Sequence, residues 1–198
     1  MNPYRQRILR LLEEQLALIN ASKCRNVLDF GAGDGWFSAQ ISKFLPDGVV
    51  HAVDIQKRTK NYFNVNIIDT NAISVMEQRS FDLVYAIDVL HHCNNPMQTL
   101  ADLANVSRGY LLIKDHIAFS RADHFVLGVL DEIGNRRFGI PSNYHYQHQW
   151  KWEEILTRAG WETVSKVWPA SCHTGILGAL TNRLQYIALY RSPSFSEH

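Results

Sequence analysis

Apolar positions along the chain follow two rhythms. Between residues 4 and 20, Ile8, Leu11, Leu12, Leu16 and Ile19 recur at helical spacing with arginines and glutamates between them, which predicts an amphipathic helix. From residue 26 the pattern alternates. Apolar runs at 27–30, 49–53, 65–68, 81–87 and 109–113 read as strands, and helix-length segments separate them. One such segment places Phe37, Ile41, Phe44 and Leu45 on one face and stops at Pro46-Asp47-Gly48. Another starts after Asn95-Pro96 and carries Met97, Leu100, Leu103 and Ala104, and a third runs from Trp150 to Ala159 and ends at Gly160. Two further strands are expected at 161–168 and 184–190, followed by a frayed tail at 192–198. Strands alternating with helices predict an α/β protein with a mostly parallel sheet.

The stretch 116–149 breaks this rhythm. It holds an apolar helix-like run (Phe125, Leu127, Val129, Leu130, Ile133), then Asn135-Arg136-Arg137, then Tyr144-His145-Tyr146-Gln147-His148. Ligands in open α/β sheets bind beyond the carboxyl ends of the strands, so a long aromatic-rich connection after the fifth strand reads as a substrate lid. No repeat or linker divides the chain, and a single domain over 1–198 is expected, with residues 1–24 as its N-terminal helix.

Composition narrows the class. The chain has 198 residues, 46% of them hydrophobic and 20% charged, which suits one ordinary core. Twenty Lys and Arg against 19 Asp and Glu give a net charge of +1, without the basic excess of a nucleic-acid binder. Cys24, Cys93 and Cys172 are odd in number and form no CxxC pair, which points to a reducing, cytoplasmic setting. No apolar run reaches the roughly 18 residues of a membrane span.

Candidate chemistry begins at VLDFGAGDGWF, residues 27–37, a buried strand entering Gly31, Gly33 and Gly35 and then a helix. Alternate glycines let main chain turn tightly beside a ligand. The dinucleotide fingerprint spaces its glycines G-x-G-x-x-G, and here the third comes one residue early. Next, HAVDI puts Asp54 at a strand tip 19 residues after Gly35, placed to accept from both hydroxyls of a ribose. NIIDT ends the following strand with Asp69 and Thr70, and an Asp there can accept from an exocyclic amine. The fourth strand runs Tyr85-Ala86-Ile87-Asp88 into Val89-Leu90-His91-His92.

Taken together these residues resemble the class I S-adenosylmethionine-dependent methyltransferases, in particular those acting on small molecules. The resemblance covers residues 26–115 closely and 150–190 loosely: VLDFGAGDGWF, HAVDI, NIIDT and FDLVYAIDVLHH are similar to that family's four motifs in order. It implies a Rossmann-like doubly wound sheet of seven strands, the last antiparallel, with helices on both faces. It also implies that Asp29, Gly31 and Gly33 flank the methionine part of the cofactor and that Asp54 binds its ribose. Ile55 would pack on adenine, Asp69 with Thr70 beside it would bind the amine, and Ala86 would offer its carbonyl to the amino group.

Lys114-Asp115-His116 closes the fifth strand, where the transferred methyl should come within reach. His116 is the expected general base and Asp115 its orienting partner, against the plainer reading of both as strand-end polar residues. Tyr144 and Tyr146 are expected to line a substrate pocket and Arg137 to receive an anionic group, although solvated charge is the simpler account of the arginine. Trp152 reads as core. His91-His92-Cys93 does not read as a metal site, because adjacent residues diverge and no second pair joins them at zinc spacing, and the same holds for His145 and His148. No metal is expected. The resulting expectation is methyl transfer from S-adenosylmethionine to a small acceptor at oxygen or nitrogen, with no nucleic-acid partner and no membrane insertion. Two rivals stand beside it: a non-catalytic cofactor-binding regulator or partner subunit, and a nicotinamide-dependent oxidoreductase, which the glycine spacing disfavours.

Overall fold

The computed structural model describes residues 2–19, 23–69, 72–135 and 143–195. Five strands form in chain order before the long connection: β1 (Asn26–Phe30), β2 (Val49–Asp54), β3 (Val65–Ile67), β4 (Phe81–Ile87) and β5 (Ser107–Ala118). A two-residue strand β6 (Gln147–His148) and two late strands, β7 (Glu162–Val167) and β8 (Gln185–Arg191), complete the set. The main sheet runs β3-β2-β1-β4-β5-β8-β7, with β6 paired to β5 beside it. β1 to β5 are parallel, and β8 is antiparallel to both β5 and β7, as the sequence predicts. Outward from β1 the order reverses between β2 and β4, so the crevice at their carboxyl ends is the switch point where α/β sheets hold ligands.

Helices cover both faces. α1 (Pro3–Leu16) starts at Asn2, whose side chain accepts from the Tyr4 N–H, and Pro3 fits the first turn where no N–H is required. It buries Ile8, Leu12 and Leu16 against Val27, Leu83, Tyr85, Ile187 and Leu189 of the sheet. α2 (Trp36–Ile41) follows the glycine loop and joins that layer through Ile41. On the other face α3 (Pro96–Val106) and α5 (Lys151–Arg158) enclose Leu28, Val84, Leu111 and Ile113, with Trp152 in this core as expected. α4 (Arg121–Asn135) follows β5, and α6 (Gly175–Thr181) lies between β7 and β8.

Three expectations need correction. α1 ends at Leu16, four residues short of the predicted end. The fifth strand extends to Ala118, so Asp115 and His116 lie inside β5 and the connection begins after it. Lys114-Asp115-His116 looked like a polar strand end, but Tyr186 and Gln185 of β8 pair with Asp115 and His116, and Gln147 of β6 pairs with Ile117. Long-range partners hold these polar residues in the strand. α6 had no counterpart in the predicted elements.

Candidate active site

The glycine loop is held down by main chain. The Gly31 and Ala32 N–H groups both donate to the Val53 carbonyl at 2.9 Å, and the Gly33 N–H donates to Asp54 Oδ2 at 2.7 Å. Gly31, Gly33 and Gly35 all have positive φ, a conformation that side chains rarely adopt. They differ in what surrounds them. A Cβ on Gly31 would stand 2.2 Å from Val89 Cγ2, whereas one on Gly33 would meet nothing within 4 Å. Gly31 is thus glycine because Val89 packs on it, and the Gly33 side is open to a ligand.

Asp54 ends β2 with its carboxylate on the Gly33 and Gln56 N–H groups, and Oδ1 lies 2.8 Å from the latter. Each oxygen keeps a second lone pair for a diol. Ile55 beside it is 59% exposed, an apolar side chain turned outward at the same rim. Gly33, Gln56, Lys57, Asn61, Val65 and Ile67 border a cleft of about 150 Å³ here. Asp69 follows β3, two residues past its end. Thr70 lies outside the described residues. Ala86 is fully buried in β4, paired to Phe30 on one side and Ile113 on the other, so only its main chain can serve a ligand.

Asp29 sits deeper than the loop. Its carboxyl is buried and accepts from Ser38 Oγ of α2 at 2.5 Å, which joins strand to helix beneath the glycines. Burial pushes its pKa up to about 7, with the Ser38 bond opposing and the nearby Asp54 charge adding to the rise. This carboxyl supports the loop from below.

The end of the crevice at β4 and β5 is built from side chains that are distant in sequence. At the end of β4, Asp88 adopts φ 52° and accepts from Tyr4 Oη of α1 at 2.8 Å. Lys114 of β5 is completely buried, with its ammonium on Asp88, on Tyr4 Oη at 2.7 Å and on Gln185 Oε1 of β8 at 2.7 Å. Burial alone would lower the Lys114 pKa, but the Asp88 charge outweighs it and raises it. α1 is also fastened over the glycine loop by Arg5, which pairs with Asp34 at 2.8 Å.

Next to this lies a second group. His91, in the turn Leu90–His92, is fully buried with Nδ1 2.5 Å from Asp115 Oδ1 and Nε2 3.4 Å from Asp131 Oδ2 of α4. Burial works against the imidazolium, yet Asp115 and then Asp131 outweigh it and raise His91 to about 10. His91 in turn holds Asp131 down at about 2 against the effect of burial. His92 goes the other way, to about 4, through burial and the neighbouring His91 charge. His116 lies edge-on to His91 with ring centroids 4.6 Å apart, its Nδ1 3.7 Å from Asp88 and 3.5 Å from Asp115.

Asp115 is fully buried and has several partners: His91, the His116 N–H at 2.7 Å and the Leu90 N–H at 3.0 Å. The sequence reading paired it with His116 alone, whereas it organises both histidines. The sequence reading weighed metal binding only for His91-His92-Cys93 and for His145 with His148. In the fold, His91, His116 and Asp131 bring ligand-type atoms within 4.8 Å of one another, one each from a turn, a strand and a helix. His92 stays beside His91 with ring centroids 4.0 Å apart, and these other partners come from elsewhere in the chain.

Tyr146 is buried with its hydroxyl on Asp131 at 2.6 Å, so it supports the cluster from behind. Tyr144 is 37% exposed and borders a groove of about 440 Å³ with His124, Phe125, Gly128, Val129, Glu132 and Ile133. Arg137 lies outside the described residues. Asn143 Nδ2 and the His145 N–H donate to the His92 and His91 carbonyls at 2.5 and 3.2 Å, which lays this segment over the turn. Sequence reasoning did not pick out Tyr4, Asp131 or Gln185, and placed Asp88 and Lys114 at strand ends without giving either a role of its own. The only cue was a charged Lys-Asp-His run inside an otherwise apolar strand.

The family model described as a methyltransferase domain matches residues 2–166. The chain belongs to this methyltransferase family. The open face at Gly33, with Asp54 and Ile55 at its rim, is compatible with a nucleoside-bearing methyl donor at this domain. The methyltransferase is 25% identical over 168 residues to malonyl-[acyl-carrier protein] O-methyltransferase of Halalkalibacterium halodurans, covering 73% of this chain and 59% of that protein. It is 30% identical over 93 residues to highly reducing polyketide synthase sphB of Aspergillus fumigatus, covering 46% of this chain and 4% of the synthase. The chain therefore spans only part of either relative. Among solved structures, a SAM-dependent methyltransferase from Archaeoglobus fulgidus shares the fold with a TM-score of 0.67 at 16% identity, over 95% of this chain and 94% of that one. Among the described residues no helix is long and apolar enough to cross a membrane.

Proposed function

We propose that this methyltransferase acts within one domain on a small-molecule acceptor and methylates it at oxygen or nitrogen. S-adenosylmethionine supplies an electrophilic methyl group on a sulfonium. Gly31 and Gly33 would flank its methionine part, with Asp29 beneath them. Asp54 would take the ribose hydroxyls, Ile55 the face of adenine, Asp69 its amine, and the Ala86 carbonyl the amino group. Holding the acceptor atom about 3 Å from the methyl, in line, supplies most of the rate.

The observation that carries the acceptor reading is His116. It lies inside β5 two residues before its last, keeps 8% exposure beside the wholly buried Lys114 and Asp115, and is flanked by Asp88 and Asp115. An imidazole there can accept the proton that a hydroxyl or protonated amine must lose. The O-methyltransferase among the relatives agrees with an oxygen acceptor.

The test is turnover of labelled S-adenosylmethionine with hydroxyl- and amine-bearing small molecules. His116→Ala should lower kcat about 100-fold or more while cofactor affinity stays unchanged. Full turnover in that variant would remove His116 from the chemistry.

A further inference from the structure

His91, His116 and Asp131 have a geometry that the proton-acceptor role of His116 does not use. All three are buried, and their ligand-type atoms lie within 4.8 Å of one another. His91 Nδ1 is taken up by Asp115 at 2.5 Å, which leaves Nε2 as its ligating atom. Nε2 makes no hydrogen bond in the described structure and stands 3.4 Å from Asp131 Oδ2. Two donors that each sit 2.0–2.2 Å from a tetrahedral ion are roughly 3.3–3.6 Å apart, so this pair already spans one edge of a coordination shell.

The surroundings fit the same assignment. A metal-bound histidine ordinarily donates its other ring N–H to a carboxylate, and Asp115 stands in that position on His91. Tyr146 Oη on Asp131 fixes the second ligand at 2.6 Å.

We propose that His91, His116 and Asp131 bind a divalent first-row transition ion, with zinc the best match to two imidazoles and a carboxylate. Three protein ligands leave a fourth position for a water or a substrate oxygen. A hydroxyl or water bound there loses its proton more readily. His116 then serves as a ligand, and the ion takes over its work on the acceptor. The ion site replaces the proton-acceptor role of His116, leaves the cofactor reading untouched, and is measured by binding.

The full-length protein is stripped with a chelator and titrated with Zn²⁺ by calorimetry and with Co²⁺ by visible absorption, alongside His116→Ala, Asp131→Asn and, as a control, Tyr144→Phe. One equivalent should bind to the parent and to Tyr144→Phe, with Co²⁺ bands of low coordination number, and affinity should fall at least about 100-fold in the two ligand variants. If Asp131→Asn fails to fold, His116→Ala at the partly exposed ligand carries the comparison. The absence of stoichiometric binding in the parent, or equal affinity in His116→Ala, overturns the proposal. Zinc binding without methyl transfer to any acceptor supports the ion site and counts only against the acceptor reading. Full methyl transfer by protein that binds no zinc does the reverse.

Discussion

The two halves of the crevice are built on different principles. On the glycine-loop side, from β1 to β3, main chain does most of the work: loop N–H groups rest on Val53 and Asp54, and three positive-φ glycines sit within five residues. On the β4 and β5 side, residues 4, 88, 91, 114–116, 131, 146 and 185 meet through side chains, several of them charged and buried. The first half is a local backbone shape. The second is an electrostatic network, held together because each buried charge has an opposite charge nearby. Local shape is encoded in consecutive residues, whereas a network depends on how distant elements are brought together.

The largest effect should come from breaking the network. Lys114→Met leaves Asp88 facing Tyr4 without its cation and should cost about 3–5 kcal/mol of stability in denaturant unfolding, where a loss below 1 kcal/mol would mean the ammonium is dispensable.

A second test concerns the carboxyl beneath the loop. Asp29 has a folded pKa of about 7, above the ordinary carboxyl value, so the folded state holds its proton more tightly than the unfolded one. Its contribution is therefore fully present below about pH 4 and is lost as pH rises through 7, by at most about 1.4 kcal/mol per pH unit across that window. Asp29→Asn, which stays neutral, should gain on the parent protein by that trend when unfolding is followed at several pH values. Parallel curves would show that Asp29 ionises freely.

The glycines sharpen the contrast within one motif. Gly31→Ala must displace Val89 and should lower stability by about 1–3 kcal/mol. Gly33→Ala carries the backbone strain of its positive φ without a clash, so it should unfold at higher denaturant than Gly31→Ala while still weakening the cofactor. Equal unfolding midpoints would erase the distinction. The smallest effect is expected at Asp54, where Ala should weaken S-adenosylmethionine about tenfold, or about 1.4 kcal/mol, in calorimetry. Unchanged affinity there would detach the β2 carboxylate from the ligand.

What the sequence by itself determined follows from periodicity and local backbone chemistry. Apolar runs specified β1, β4, β5 and β8, because burial on both faces of a sheet demands continuous apolar stretches, whereas β3 and β7 are largely exposed strands towards the sheet edges. The glycine run specified the loop, because positive φ excludes most side chains. Only the tertiary structure decided that β5 continues through Asp115 and His116, because β8 pairs with them from about 70 residues away. It alone decided that Asp115 serves His91 as well as His116, and that Asp131, Tyr4 and Gln185 join the same site. No spacing rule connects those positions. A buried charge needs a partner, and which residue supplies it is settled by the packing of α1, α4 and β8 around the ends of β4 and β5.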